Sequence, residues 1–524
     1  MNETSKDKKG WRISRRILIG LAIFATLIAL FYAEEDWRGW HAWNQYRQQL
    51  EAAGTQLDLK AFIPKAVPGD QNFAAMPLIE FWFADRTNFN KRWTDNYFLA
   101  SQMVDSRTSS TPSTTVKDGN RHFTDLVAWE MAFEAIQSGQ TNSDQKFKSG
   151  KLDLASRAAV VPAVLEGLKA NEMVLTKLRD ASQRSYSRYP VVYDLDNPWG
   201  ILLPHLGNVK RAVQRLQLRA CAELAAGRSD EAVADVKLSL YLADSVKDEP
   251  FLISYLVRIA CVQIAIQPVW EGLADHAWSD AQLQELQASF QQYDFMADLK
   301  RPLDAERAAG ILTVELIRKN GLNYLNYLGD PTKPVSATSS SRRIASLIDL
   351  FVASGWYYQE EFNYCRLFHM LLGADLDFAK KQISPKQVES NKGKFGQALA
   401  GIKFSRIVHH QIIASMLVPA LGGMPIKAAT AQTAADEAML ACALERYRLA
   451  NGQFPGTLEA LVPRFISQLP NDVISGEPYK YHRTNDGQFV LYSVGWNETD
   501  DGGVPGKTLF DEKEGDWVWQ YPVK

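Results

Sequence analysis

The sequence predicts a mainly α-helical protein: an N-terminal transmembrane helix, an irregular helical array with αα-hairpins, and a small C-terminal α+β module. Three observations lead there. One uninterrupted apolar run lies near the N-terminus, apolar residues recur at three- and four-residue spacing through most of the chain, and Tyr- and Val-rich segments bounded by turn signals cluster near the end. Of the 524 residues, 46% are hydrophobic and 11% aromatic, which excludes a largely disordered chain. The 58 basic and 60 acidic side chains leave a net charge of −2, so there is no pooled cationic excess for coating nucleic acid.

From Ile17 to Ala33 the chain reads ILIGLAIFATLIALFYA, a length that spans ~25 Å as a helix. Trp11, Tyr32, Trp37, Trp40 and Trp43 bracket it with rings suited to the two interfaces. Lys6, Lys8, Lys9, Arg12, Arg15 and Arg16 precede it, and Glu34, Glu35 and Asp36 follow. The positive-inside rule therefore predicts residues 1–16 in the cytoplasm, 17–33 in the inner membrane and the remainder periplasmic or extracellular. A cleaved secretory signal shares the basic and apolar regions, but Phe31-Tyr32-Ala33 puts a bulky residue where a small one is wanted, which favours an uncleaved anchor.

Beyond the anchor, Trp37, Trp40, Trp43, Tyr46 and Leu50 form a stripe that Gly54 ends, read as a short amphipathic helix packing on the soluble body or lying among headgroups. Residues 34–330 read as an exported helical domain, 331–341 as a linker and 342–427 as further helices. The low-complexity stretches 106–115 and 331–341 are rich in Ser, Thr and Pro. Val213, Leu216, Cys221 and Leu224 make one stripe, ended by Gly227, and Ala232, Val236 and Leu240 make the next, an αα-hairpin. Its turn, with small residues before Gly227 and Asp230-Glu231-Ala232 after it, resembles that of a tetratricopeptide repeat. A second hairpin is expected from Pro250 to Trp270 and Asp280 to Tyr293, and more helix over Arg342–Leu372 and Ser384–Met416.

Catalytic signatures are missing: no H-E-x-x-H, G-x-S-x-G or G-x-G-x-x-G occurs. Gly506-Lys507-Thr508 ends like a phosphate loop, but Asp501 stands where the first glycine belongs and an acidic stretch follows, so nucleotide binding is not expected. Cys221, Cys261, Cys365 and Cys442 lack zinc or disulfide spacing and read as buried thiols. His409 and His410 point about 100° apart on a helix and suit no shared metal. The segment Tyr189–Leu206, with Asp194, Asp196 and His205, reads as an ordered connector or the lining of a pocket.

The C-terminal segment carries a longer pattern. Ala443-Leu444-Glu445-Arg446-Tyr447-Arg448, Gly452-Gln453-Phe454-Pro455, Leu458 to Pro463, Leu469 to Asp472, Gly476 to Tyr481 and Leu491 to Gly495 follow one another in order. This order resembles the exported domain of type II secretion pseudopilins, above all the major pseudopilin, over residues 428–524. It implies a long helix followed by a small sheet, with strands at Tyr479–Arg483, Gln488–Val494 and Trp517–Tyr521. The family's leader is absent, and the module ends a large helical chain. The layout as a whole resembles a group of bacterial single-span membrane proteins, which implies no activity.

The last expectation is a cation. Between Asn497 and Asp516 seven acids face only Lys507 and Lys513, and Gly502, Gly503 and Gly506 supply bends that a calcium loop needs. Asp500, Asp501 and Asp516 are the candidate ligands. The resemblance points the same way, because the major pseudopilin binds calcium in this loop and Ser493, Gly495, Gly502, Gly503 and Asp516 match its frame; Asn497 stands where that frame has Asp. The leading function is a membrane-anchored, non-catalytic interaction or scaffold protein of the bacterial envelope, linked to a secretion or pilus-like assembly. The alternatives are a hydrolase-type enzyme with a pocket near 189–206 and a small-ligand or glycan-binding sensor.

Overall fold

The computed structural model describes residues 3–83, 116–117, 119–138, 154–326, 352–373, 376–378, 380–400 and 410–522. The two Ser/Thr/Pro-rich stretches, residues 342–351 of the helix expected over Arg342–Leu372, and residues 401–409 of that expected over Ser384–Met416, His409 among them, lie outside these residues. The helices run α1 (Glu3–Ala52), α2 (Pro77–Phe83), α3 (Leu126–Gln137), α4 (Leu154–Leu168), α5 (Glu172–Ala181), α6 (Pro204–Ala225), α7 (Ser229–Asp244), α8 (Leu252–Ala274), α9 (Asp280–Gln291), α10 (Phe295–Asn320), α11 (Ser354–Leu372), α12 (Pro385–Leu399), α13 (Ile412–Leu417) and α14 (Met424–Asn451). Two short antiparallel pairs, β1 (Val116–Lys117) with β2 (Asn120–Arg121) and β3 (Leu376–Asp377) with β4 (Gln382–Ile383), precede a three-stranded antiparallel sheet. That sheet has the order β5 (Lys480–Arg483), β6 (Phe489–Ser493), β7 (Trp517–Trp519). The chain is thus mainly helical with an apolar N-terminal helix.

The amphipathic segment after the apolar run is not a separate helix. It continues α1 without a break, and Gly54, at φ 79°, follows its end. The aromatic stripe divides: Trp43 is buried, whereas Trp37 and Trp40 are 63% and 50% exposed. Trp43, Tyr46 and Leu50 belong to or pack on the core, and this part of α1 lies against α11. Glycine at both sides of the crossing makes it close. A Cβ on Gly39 would lie 2.2 Å from the Gly355 carbonyl oxygen, and one on Gly355 would lie 2.1 Å from that of Glu35.

The expectation of a single apolar run needs correction. Three helical stretches are long and apolar enough to cross a membrane: Arg15–Ala52, Leu252–Ala274 and Ile412–Asn451, with window hydropathies of 2.2, 1.6 and 1.5. None of the first window is buried, against 67% and 56% of the others. The second is α8 and the third ends in α14, and both helices are buried nearly all round in the protein core. An all-round apolar helix is a core helix as readily as a span.

The first expected hairpin is present as α6 and α7, which pack on each other and on α8; Gly227, at φ 74°, makes the turn. The second differs. After α8 the chain turns at Trp278, whose indole donates to the Val269 carbonyl, and α9 packs chiefly on α14. The cause is a better surface: Leu283, Leu286 and Phe290 of α9 are buried, and α14 offers them a small-residue helix rich in Ala. Ahead of α14 the chain forms the short helix α13 and a 3₁₀ turn, Val418–Gly423. One hydrophobic cluster runs from Trp43 to Trp519, so α14 and its sheet share a core with the helical body.

Candidate functional site

The junction between α1 and the helical body is built by carboxylates of α1. The first amides of a helix lack intrahelical partners, and Ala353 before α11 supplies no side-chain cap. Asp36 supplies it from 319 residues away: its Oδ1 accepts from the Gly355 amide at 2.6 Å. Glu35, 7% exposed, accepts from Gln359 Nε2 at 3.0 Å and from the Arg38 guanidinium. Further along, Tyr46 meets Phe362 edge to face with centroids 5.3 Å apart. The acids that follow the apolar run are therefore also the residues that fasten the body to it.

The segment Tyr189–Leu206 separates into three environments. Asp194 and Asp196 stand at the surface, and Asp194 Oδ1 accepts from the Asp196 amide at 2.9 Å. His205 is fully buried, stacked on Tyr189 with centroids 4.2 Å apart and on Phe83 at 5.2 Å. Its Nε2 lies 2.7 Å from Glu249 Oε1, and Ser254 Oγ donates to Glu249 Oε2 at 2.5 Å. This is a serine, a carboxylate and a histidine in the wrong order for hydrolysis. A nucleophile relay needs the imidazole between hydroxyl and carboxylate, whereas here the carboxylate is central. The cluster acts as a clamp between α6 and the start of α8.

Pro198, Trp199, Ile201 and Leu203 line one wall of an apolar pocket of about 340 Å³, which Glu306 of α10 also borders. This segment, read as an ordered connector or the lining of a pocket, thus borders a cavity with four of its residues, though His205 does not line it. A second, polar cleft of about 440 Å³ lies between the end of α9, α14 and the segment 466–473. Asp436 lines it, accepting from Gln432 Nε2 and from the Tyr479 hydroxyl, both at 3.0 Å. Lys381 at the rim pairs with Asp294 at 2.6 Å. Sequence reading missed Asp436 and Glu306 because each is an ordinary helical acid until distant segments close over it.

The three expected metal ligands are placed close in the chain but are occupied. Asp516, 1% exposed, accepts from the amides of Asp501 at 3.2 Å and Gly503 at 2.7 Å. Asp500 Oδ1 accepts from the Tyr492 hydroxyl and the Gly502 amide, both at 3.0 Å. Asp501 Oδ2 accepts from Asn497 at 3.0 Å. Burial, with repulsion from Asp501 and Asp500, pushes the Asp516 carboxyl up while the two amides push it down. Lys386 of α12 adds an ion pair to Glu498 at 3.3 Å. Among the described residues no group of three or more His, Cys, Asp and Glu is set to hold a metal. Main-chain amides on Asp516, with Lys386 on Glu498 and Lys507 on Glu514, offset part of the segment's negative charge. The unfolding midpoint of the full chain is accordingly expected to be equal in millimolar calcium and in chelator; a rise with calcium would restore the cation's role.

All four cysteines are buried as free thiols, and burial pushes Cys261 and Cys365 up to about 12. Buried carboxyls behave in the same direction. Burial raises Glu306, Glu360 and Asp436 to about 7 and, with repulsion from Glu315, Glu361 to about 8. Such groups hold protons in the folded chain that the unfolded chain has already released. Stability is then present below the ordinary carboxyl value and lost as pH rises toward the folded-state value. The thermal midpoint is expected to fall between pH 5.5 and pH 8; a constant or rising midpoint would show these carboxyls to be ionised in the fold.

Comparison of the chain with protein-family models, with curated proteins and with solved structures gives no match.

Proposed function

We propose that this chain is a membrane-anchored, non-catalytic interaction protein of the bacterial envelope. Residues 1–16 lie in the cytoplasm, α1 crosses the inner membrane, and the helical body stands on the outer side to present a surface to a protein partner. The observation that carries the reading is the single helix α1, exposed over its apolar stretch and fastened to α11 by the Gly39–Gly355 crossing and the Asp36 cap. A flexible tether suffices to localise an enzyme; a helix that enters the core fixes the height and orientation of a docking surface. The basic residues before the apolar run and the acids after it support the orientation.

The pseudopilin-like reading of residues 428–524 is part of this proposal. In its favour are a helix ended by Gly452 in the left-handed region, a short 3₁₀ turn at Leu458–Leu461, and a three-stranded antiparallel meander. Asp472, in the Leu-Pro-Asn-Asp turn, binds the amide of Ile474 at 3.0 Å and the Ser493 hydroxyl at 2.8 Å, which ties that turn to β6. Such a module suits docking to a secretion or pilus-like assembly. Crosslinking in intact cells followed by mass spectrometry tests the proposal. Adducts to an envelope assembly component that disappear with Gly355→Leu support it; no adduct, together with turnover of a substrate by the purified chain, overturns it.

A further inference from the structure

The pocket beside residues 198–203 has a chemistry of its own. Its walls are apolar, formed by Leu59, Trp199, Phe251, Leu256, Leu421, Met424 and their neighbours, and Glu306 brings the one charged group among the described residues that line it. Ala305, Glu306 and Ala309 share the face of α10 that borders the cavity. No hydrogen bond or ion pair reaches the Glu306 carboxylate among the described residues. The nearby Tyr364 hydroxyl donates instead to the main-chain carbonyl of Glu306, at 3.1 Å. Trp199 is fixed by its own indole N–H, which donates to Thr313 Oγ1 at 2.7 Å.

We propose that this pocket binds a small apolar organic cation, an ammonium group on a hydrocarbon or aromatic body, with Glu306 as the counter-ion. The sign of the one charge among the described lining residues selects the ligand. An anion meets a like charge in a poorly solvated space, and a neutral hydrocarbon leaves the carboxylate desolvated without a partner. An ammonium satisfies it, and the rings of Trp199 and Phe251 add faces that attract a cation. The volume, about 340 Å³, lies near the lower end of the roughly 300–1,000 Å³ typical of small-molecule sites. Because burial holds the Glu306 carboxyl near 7, the free pocket is mostly protonated in mild acid and ionised in mild base. Ammonium binding is therefore linked to release of that proton. The inference stands apart from the scaffold reading, since the pocket lies in the body whichever partner the chain docks to.

The test uses the full chain in nanodiscs of zwitterionic lipid, titrated with cyclohexylmethylammonium, cyclohexylmethanol and cyclohexanecarboxylate by calorimetry. At pH 8 the ammonium is expected to bind at least tenfold more tightly than the alcohol, with the carboxylate weakest. Glu306→Gln, which keeps the shape, is expected to remove the preference for the ammonium. In the unaltered chain the ammonium is expected to bind roughly tenfold more weakly at pH 6 than at pH 8, following the ionised fraction of Glu306. No binding of the ammonium, an equal preference in Glu306→Gln, tighter binding of the alcohol or carboxylate, or equal affinity at the two pH values would overturn the proposal.

Discussion

Glu271→Leu is expected to lower stability more than any other single substitution in the helical body, by about 3–5 kcal/mol. Glu271 is 1% exposed in the last turn of α8, and its Oε2 meets Arg157 Nη2 of α4 at 2.5 Å. Its other oxygen accepts from the Thr124 amide at 2.7 Å, the Thr124 hydroxyl at 2.6 Å and Gln267 at 3.0 Å. One carboxylate thus fixes α4, α8 and the segment leading into α3. Removing it leaves the Arg157 guanidinium buried, stacked over Phe123 at 4.6 Å, with no carboxylate among the described residues closer than Asp275 at 4.0 Å. The double variant Glu271→Leu with Arg157→Met is expected to recover much of the loss, because the uncompensated charge, more than the lost attraction, sets the cost. Denaturant unfolding of the two proteins checks this; a double variant no more stable than the single one would show the pair to be net stabilising.

Gly355→Leu is the second large effect. Its Cβ would sit 2.1 Å from the Glu35 carbonyl oxygen and 2.5 Å from the carbon, and neither backbone atom has room to yield inside a helix. The two helices must separate, and the Asp36 cap on the Gly355 amide is lost with the contact. Trp43, Tyr46 and Leu50 are then exposed to solvent. Limited proteolysis is expected to cut the segment 50–76 in the variant and spare it in the parent, while the far-ultraviolet helix signal stays nearly constant. Equal protection of both chains would mean that the crossing does not hold the anchor.

Local grammar made part of this fold legible. Gly227, Gly452 and Gly487, at φ 74°, 78° and 82°, mark the α6–α7 turn, the end of α14 and the β5–β6 hairpin, each where a glycine follows a periodic segment. What the sequence does not carry is which neighbour a helix finds. The stripe Ala435, Ala438, Met439, Cys442, Leu444 and Tyr447 suggests one buried face of α14, yet Asp436, Glu437 and Glu445 are enclosed as well. Glu445 is repaid by Arg448 and by His276 at 2.9 Å from another helix end, a pairing no spacing announces. The same holds for the site residues. Acidity after Asn497 was visible, but the amides and the lysine that answer it come from the folded loop and from α12. Glu306 was invisible because its pocket is assembled from segments near residues 59, 199, 251 and 421.

The central claim is that anchor and body form one rigid piece through α1. Nitroxide labels at Ala25→Cys and Gln48→Cys, both exposed positions on that helix, test it in lipid nanodiscs by double electron–electron resonance. The four native cysteines are buried and leave the introduced thiols as the reactive ones. A continuous helix places the labelled backbones about 35 Å apart at 1.5 Å per residue. One narrow distance distribution at that separation is the expected result; a broad or markedly shorter distribution would mean that the helix breaks at the membrane surface and that the body hangs on a flexible tether.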